Sequence, residues 1–149
     1  MTVITTTNGI LNAIAAAGKG LAARKEEVNR LNVFPVPDGD TGTNMSLTID
    51  MVVDSVAKFP IGASREEVRK AITNGALMGA RGNSGVITSQ ILRGLCEGAS
   101  KCSEFNTDAV ATAFESSVNT AFHAVRKPME GTILTVLRDA GDAAKKASK

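Results

Sequence analysis

Positions 32–45 read Asn-Val-Phe-Pro-Val-Pro-Asp-Gly-Asp-Thr-Gly-Thr-Asn-Met. Proline fixes its own φ and pushes the preceding residue out of the α region, so positions 33–37 are predicted to be extended. Gly39 and Gly42 then permit backbone angles that other residues resist. The run therefore predicts a loop that separates two helical stretches and leads into the second of them.

On both sides of this loop, apolar residues recur at helical spacing, and no stretch shows the sustained period-two alternation of a strand. The fold class is therefore predicted to be all-α, and periodicity by itself gives a bundle of about seven amphipathic helices. The predicted helix faces are Ile10, Ile14, Ala17 and Leu21; Met45, Ile49, Val52 and Val56; Val68, Ala71, Ile72 and Gly75; Ile87, Ile91 and Leu95; Ala111, Phe114, Val118, Ala121 and Val125; and Ile133, Leu137, Ala140 and Ala144.

Two local signals refine the helix that follows Pro60. Ser64 and Glu67 form the pattern of a capping box, which places the start of a helix at Ser64. Further along, Ala71, Gly75 and Ala76 are small enough to let a neighbouring helix approach closely, although glycine inside a helix otherwise costs about 1 kcal/mol.

Composition narrows the class of protein. The chain has 149 residues, a formal net charge of +2 and 43% hydrophobic residues, which suits one domain with a sizeable core. With 3% aromatic residues and no Trp or Tyr, a nucleic-acid-binding surface is not indicated. Cys96 and Cys102 are too few for a disulfide framework and are interpreted as reduced thiols of a cytoplasmic protein. No apolar run reaches the ~20 residues of a membrane span.

Asp38 and Asp40 place two carboxylates one residue apart on the loop. Short acidic side chains on such a turn suit a hard cation, and Mg²⁺ is typically held by one or two carboxylates plus substrate phosphates. An Asp-Gly turn without any metal explains the same residues. An EF-hand loop is excluded, because counting from Asp38 the sixth position is Thr43 instead of Gly and the twelfth is Ile49 instead of Glu.

A second run, at positions 79–85, reads Gly-Ala-Arg-Gly-Asn-Ser-Gly. No Gly-Lys-Ser/Thr follows at the required spacing, so it is not a Walker A motif. Small residues that open a helix let the backbone approach a phosphate, to which Ser84 could donate its hydroxyl and its N–H. The alternative is a helix-to-helix turn capped by Ser84. Arg81 either meets phosphate with its planar guanidinium or is a solvated surface side chain.

These two runs, together with Lys-Pro-Met-Glu-Gly-Thr-Ile-Leu-Thr-Val at positions 127–136, closely resemble the ATP-binding domain of the dihydroxyacetone kinase L-subunit (DhaL) superfamily. Within it, the chain is most similar to the N-terminal domain of the bacterial fatty acid kinase ATP-binding subunit. The resemblance runs from about Asn8 to the end of the chain. It implies an antiparallel helix barrel with the nucleotide at one end.

The resemblance also implies roles for individual residues. Asp38 and Asp40 would be the catalytic carboxylates that hold two Mg²⁺ ions against the ATP phosphates. Asn32 stands nearest to a further family aspartate and could give one carbonyl oxygen to a metal. The implied nucleotide contacts are Thr41, Thr43, Asn44, Met78, Gly79, Arg81, Gly82, Asn83, Ser84, Gly85 and Thr132.

Simpler interpretations remain open for several of these residues. Thr41, Thr43 and Asn44 are good N-caps, as is Thr132. Leu77 and Met78, which could contact adenine, fit the core as apolar helix residues. His123, the single histidine, has no acidic or cysteine partner at ligand spacing and is interpreted as a structural residue.

By resemblance, the chain is an Mg²⁺-dependent kinase domain that phosphorylates the carboxylate of a fatty acid carried by a separate DegV-type fatty-acid-binding protein. One alternative is a dihydroxyacetone kinase subunit whose sugar is presented by a partner, although Thr41 stands where that kinase usually has histidine. Another alternative is a non-catalytic nucleotide-binding or structural helical domain.

The family's domain continues past the helix that follows Thr132, so residues 1–149 are expected to form one DhaL-like domain that lacks its last helices. An open barrel would leave the face of Ile133, Leu137 and Ala140 partly uncovered, and such patches favour self-association. A homo-oligomer is therefore a further expectation, and the fragment alone is expected to be catalytically incomplete.

Overall fold

The computed structural model describes residues 7–34, 36–60 and 62–148. Within these residues the chain forms seven α-helices and no β-strand, which confirms the all-α fold class. The helices are α1 (Thr7–Ala23), α2 (Lys25–Arg30), α3 (Thr41–Ala57), α4 (Arg65–Gly79), α5 (Gly82–Ser100), α6 (Thr107–Ala124) and α7 (Ile133–Ala147).

The loop before α3 is non-helical, as its prolines predict, although Pro35 itself lies outside the described residues. Helix α2 is a six-residue segment that the apolar periodicity did not reveal, because it carries one apolar residue, Val28. In the described part of the chain, no helix combines the length and the apolar character needed to cross a bilayer. Neither Cys96 nor Cys102 forms a disulfide within the described residues.

The chain divides into two compact units, residues 1–89 and residues 90–149, with the boundary inside α5. In the first unit α3 packs on α1, α2 and α4. Val52 and Val56 from α3 are buried together with Val68 and Ile72 from α4. Helix α3 is therefore the central element of the first unit, and the loop that precedes it is carried on that core.

Small residues bring α3 and α4 together, as predicted. Ala71, Gly75 and Ala76 are buried, and a Cβ added at Gly75 would lie 2.7 Å from Ser55 Oγ. Two turns from the start of α3, the buried Thr48 hydroxyl lies 2.8 Å from the Asn44 carbonyl oxygen and 3.2 Å from that of Gly79. This polar contact joins the beginning of α3 to the end of α4.

In the second unit, the C-terminal half of α5 lies directly against α6. A Cβ added at Gly98 would be 2.6 Å from Ala113 Cα, and the buried Ser117 hydroxyl donates to the Ile91 carbonyl oxygen at 2.9 Å. Helix α7 then packs on α6 through Leu134, Leu137 and Gly141, all of them buried.

The expectation of a partly uncovered face at Ile133, Leu137 and Ala140 is therefore wrong for Leu137 and holds for the other two residues, which remain partly exposed. Leu137 is 7% exposed, and Ile133 and Ala140 are half-buried, because this face of α7 lies against α6. Val136 is the strongly exposed apolar residue of this helix.

The predicted capping box at α4 is confirmed. Ser64 Oγ accepts the Glu67 N–H at 3.3 Å, and the Glu67 carboxylate accepts the Ser64 N–H at 2.8 Å and the Ser64 hydroxyl at 2.7 Å. The hydrogen bond from the Ser64 side chain, followed by that from its backbone, lowers the pKa of Glu67.

Ser64→Ala is expected to lower the free energy of unfolding by about 1 kcal/mol at pH 7, the typical loss for an N-cap serine. Because the folded-state pKa of Glu67 is depressed, its contribution is present above the unfolded value near 4.5 and is lost as pH falls through the folded value. The difference between wild type and Ser64→Ala should therefore shrink below pH 4.5. Urea denaturation at pH 7 and pH 3 measures it.

Ser100→Ala is the matched control, because that exposed hydroxyl donates only to the Glu97 carbonyl oxygen of its own helix. Its effect should be small and independent of pH. A Ser64→Ala effect that is equally large at pH 3 and pH 7 would contradict the coupling to Glu67.

Candidate functional site

Asn32 closes the acidic loop with its side-chain amide. Its Oδ1 accepts the N–H of Gly39 at 3.0 Å and that of Asp40 at 3.3 Å, and its Nδ2 donates to the Val36 carbonyl oxygen at 3.0 Å. Gly39 has a φ of 69°, in the left-handed region that favours glycine. The hydrogen bonds of the Asn32 amide therefore help to hold the loop in shape.

This arrangement gives Asn32 a role that its sequence context did not reveal. An amide oxygen has two acceptor positions, and both already receive backbone N–H groups. The assignment of Asn32 as a metal ligand stays a prediction, and it requires the oxygen to release at least one of these N–H groups.

The two carboxylates of the loop are unpaired. Asp38 is exposed and Asp40 half-buried, and neither has a hydrogen bond or ion pair from its side chain to any described residue. Nor does the described part of the chain contain a group of three or more His, Cys, Asp or Glu side chains placed to hold a metal. A cation bound here would need further oxygen ligands from water or phosphate, which is the coordination that Mg²⁺ prefers.

Helix α3 begins next to these carboxylates, with Asp40 as N-cap residue and no side-chain cap from it. The expected capping by Thr41, Thr43 or Asn44 is wrong, since Asn29 of α2 provides it. Asn29 Oδ1 accepts the Thr43 N–H at 3.0 Å. The Asn44 N–H bonds to the Asp40 carbonyl oxygen at 2.8 Å.

The first two N–H groups of α3, those of Thr41 and Gly42, have no hydrogen-bond acceptor among the described residues. Such groups carry the positive end of the helix dipole and attract anions. Two carboxylates thus precede a helix start whose unbonded N–H groups favour an anion.

The second run forms the tight connection from α4 to α5, in which Ala80 and Arg81 alone separate the helices. Gly82 has a φ of 55°, and a Cβ there would overlap Asn44 Nδ2. Ser84 Oγ donates to the Thr41 carbonyl oxygen at 3.3 Å. The structure therefore places the connection at 79–85 directly against the start of α3.

Several predictions for this connection need correction. Ser84 is the third residue of α5 and does not cap it, because the helix already begins at Gly82. Leu77 and Met78 are 66% and 68% exposed, so the interpretation that they belong to the core is wrong. Contact of Met78 with adenine stays a prediction.

Arg81 is exposed, and its Nη1 donates to the carbonyl oxygens of Met78 at 3.1 Å and Ala80 at 2.9 Å. The guanidinium therefore caps the end of α4, where unpaired carbonyls and the helix dipole favour a cation. Gly79 is buried, and Gly85 is buried with a hypothetical Cβ 2.6 Å from Thr48 Oγ1. Asn83 is exposed.

Thr132 belongs to the second unit, where it caps α7. Its Oγ1 accepts the Leu134 N–H at 3.3 Å and donates to the Met129 carbonyl oxygen at 2.8 Å, which confirms the capping interpretation. The preceding turn is fastened by Arg138, whose two Nη atoms donate to the Glu130 carboxylate at 2.6 and 2.9 Å. The hydrogen bond from Arg138 is the main cause of a lowered Glu130 pKa.

A solvent-open cavity of about 380 Å³ lies in the second unit, between α5 and α6. None of the predicted site residues lines it. Most of its lining residues carry polar side chains, among them His123, whose Nδ1 lies 2.7 Å from the Asn119 carbonyl oxygen. The carboxylates of Asp38 and Asp40 and the unbonded helix N–H groups lie in the first unit.

Gly82→Ala is expected to destabilise the protein by about 1–2 kcal/mol, because alanine resists the left-handed region, and to displace the Asn44 side chain. Gly20→Ala is the matched control. It lies in α1 with open space around its hypothetical Cβ and should stabilise by about 0.5–1 kcal/mol. Urea denaturation measures both, and the same sign for the two changes would contradict this geometry.

Gly98, which looks on sequence grounds like a neutral helix position, cannot serve as that control. Its hypothetical Cβ lies 2.6 Å from Ala113 Cα and 2.7 Å from the Thr112 carbonyl oxygen. Its substitution would force α5 away from α6.

Comparisons with known proteins agree with the motifs. A family model described as the DAK2 domain matches residues 35–149. The chain is 48% identical over 139 residues to the uncharacterized protein SH1689 of Staphylococcus haemolyticus (strain JCSC1435) and, equally, to the uncharacterized protein SACOL1240 of Staphylococcus aureus (strain COL). Each alignment covers 92% of this chain and 25% of the relative, so the chain spans about a quarter of the length of the curated relatives it matches. The family match covers most of the chain and includes the whole run at 79–85 and all of the run at 32–45 except residues 32–34. The chain therefore belongs to the DAK2 domain family, whose members are kinase-related nucleotide-binding domains.

Proposed function

We propose that the chain is the Mg²⁺-dependent ATP-binding domain of a kinase that phosphorylates a fatty acid carboxylate presented by a separate DegV-type fatty-acid-binding protein. One observation carries the proposal. The unpaired carboxylates of Asp38 and Asp40 immediately precede a helix start with unbonded N–H groups, and the connection at 79–85 packs against that start.

These residues suit ATP and Mg²⁺ in their chemistry. Asp38 and Asp40 would hold the cation, which neutralises phosphate charge during transfer. The N–H groups of Thr41 and Gly42 would bind phosphate oxygens at the positive end of α3. Gly82 leaves room for the Asn44 amide, which would orient the same phosphates.

A carboxylate acceptor fits the shortage of general bases around this site. In the proposed step, an acyl carboxylate oxygen forms a bond to the γ-phosphorus while the bond to the β-phosphate bridging oxygen breaks, and ADP leaves with that electron pair. A fatty acid carboxylate is already ionised at neutral pH, so no residue has to remove a proton from it. A dihydroxyacetone hydroxyl would need a base, and Thr41 stands where the sugar kinase usually has histidine.

The proposal places this reaction in the cytoplasm. Its first test is nucleotide binding. Calorimetric titration of the chain with ATP should show binding in the presence of Mg²⁺ and much weaker binding in EDTA. No binding under either condition would overturn the nucleotide site and leave a structural helical domain.

A turnover assay then distinguishes between a fatty acid and dihydroxyacetone as the phosphate acceptor. The natural full-length protein is incubated with ATP, Mg²⁺ and a DegV-type protein loaded with fatty acid, and the acyl phosphate is trapped with hydroxylamine. Formation of the hydroxamate supports the fatty acid kinase. Phosphorylation of dihydroxyacetone instead would favour the sugar kinase, and nucleotide binding without turnover of either substrate would favour a nucleotide sensor.

A further inference from the structure

The side-chain amide of Asn29, in α2, forms hydrogen bonds with both its oxygen and its nitrogen to one residue of α3. Its Oδ1 accepts the Thr43 N–H at 3.0 Å, and its Nδ2 donates to Thr43 Oγ1 at 3.1 Å. The orientation of the amide is unambiguous, because a backbone N–H can only donate and therefore selects the oxygen. Both bonds are partly buried.

This pairing decides where the Thr43 hydroxyl proton can point. A hydroxyl carries one proton and two lone pairs, and one lone pair here receives the Asn29 N–H. The proton must therefore point away from Asn29. Threonine in a helix usually donates to the carbonyl four residues earlier, as Thr48 does to Asn44 at 2.8 Å.

Thr43 has no such carbonyl acceptor among the described residues. The residue four positions before it, Gly39, lies in the loop, and no described residue accepts the Thr43 hydroxyl proton. The first turn of α3 thus carries a free hydroxyl donor beside the unbonded N–H groups of Thr41 and Gly42.

The position of Asn29 is fixed by close packing of α2 on α3. A Cβ added at Gly42 would overlap the Lys25 carbonyl oxygen and lie 3.1 Å from Asn29 Oδ1. Because only glycine allows this approach, the amide is held within hydrogen-bond distance of Thr43 before any ligand binds.

We propose that Asn29 is a positioning residue that turns the Thr43 hydroxyl into a donor for a phosphate oxygen of the bound nucleotide. The inference rests on the proposed nucleotide site and adds to it a residue from outside both sequence runs. Asn29 itself touches no phosphate and acts through Thr43.

Asn29→Asp tests the proposal with little change in shape. The aspartate keeps an oxygen for the Thr43 N–H but replaces the N–H donor by a second acceptor, to which the Thr43 proton would turn. Affinity for Mg²⁺-ADP, measured by calorimetry, should fall about 10- to 100-fold, the effect of one hydrogen bond to a charged group. The melting temperature should fall only slightly: the new carboxylate is favourable at the N-terminus of α3, but it replaces a donor that lies 3.5 Å from Glu26 Oε2 and so faces a like charge.

The added negative charge is separated from the hydroxyl effect by a double-mutant cycle. In a Thr43→Val background no hydroxyl remains, so Asn29→Asp should lower affinity much less than it does in wild type. Thr43→Ser keeps the hydroxyl, so in that background Asn29→Asp should lower affinity by about the same factor as it does in wild type.

The outcomes are distinct. An equal loss from Asn29→Asp in both backgrounds, or no loss in either, would overturn the positioning role while leaving the nucleotide site in place. Absence of Mg²⁺-ADP binding by the wild-type chain would instead overturn the proposed function on which the inference rests.

Discussion

Asp40→Asn and Asp38→Asn are each expected to bring ATP affinity in the presence of Mg²⁺ down to its value in EDTA, with the fold intact. The loss should exceed the roughly 10- to 100-fold typical of losing a hydrogen-bond partner of a metal ligand. Stability without metal should not fall, because two unpaired carboxylates so close in sequence mainly repel each other.

Calorimetric titration with ATP and Mg²⁺ measures this loss, and urea denaturation checks the fold. Asp54→Asn is the matched control, since Asp54 is an exposed carboxylate on α3 away from the loop and should leave ATP affinity unchanged. Unchanged ATP affinity in both loop variants would refute the assignment of Asp38 and Asp40 as metal ligands.

Gly42→Ala is expected to have the largest effect on the fold of the site. Its Cβ would overlap the Lys25 carbonyl oxygen and lie 3.0 Å from the Lys25 carbonyl carbon, so α2 would have to move. Overpacking of this kind costs about 1–3 kcal/mol, more than the helix propensity of up to ~1 kcal/mol that alanine gains over glycine.

The same displacement should pull Asn29 away from Thr43 and weaken Mg²⁺-ATP binding. Urea denaturation and calorimetry measure the two effects, with Gly20→Ala as a variant that changes the same residue type in open space. If Gly42→Ala were as stable as Gly20→Ala, the close contact of α2 with α3 would be refuted.

Local sequence signals were reliable guides to this chain. The capping box at Ser64 and Glu67 involves residues three apart, so its geometry follows once the helix exists. Proline likewise acts on its own φ and on its neighbour, which is why the loop before α3 could be placed. The all-α fold class followed from periodicity summed over many residues.

Contacts between distant residues could not be read in the same way. Asn29 and Thr43 are 14 positions apart, and nothing in a short polar helix signals which neighbour its amide will meet. The exposure of Leu77 and Met78 could not be predicted for the same reason. Apolar periodicity identifies a buried helix face only where another element packs against that face, and both residues are exposed. The predicted roles of the loop carboxylates and their neighbours remain predictions that ligand binding has to test.

The single amide that closes the acidic loop has a kinetic consequence. Because Asn32 holds the Gly39 N–H, the Asp40 N–H and the Val36 carbonyl at once, one rotation of its side chain would release all three together. Asn32 is half-buried, so its rotation requires these hydrogen bonds to break first, and loop motions of this kind take nanoseconds to microseconds. The three hydrogen bonds would therefore break in one step and the loop would open. A bound cation could then exchange with solvent far faster than the surrounding helices unfold.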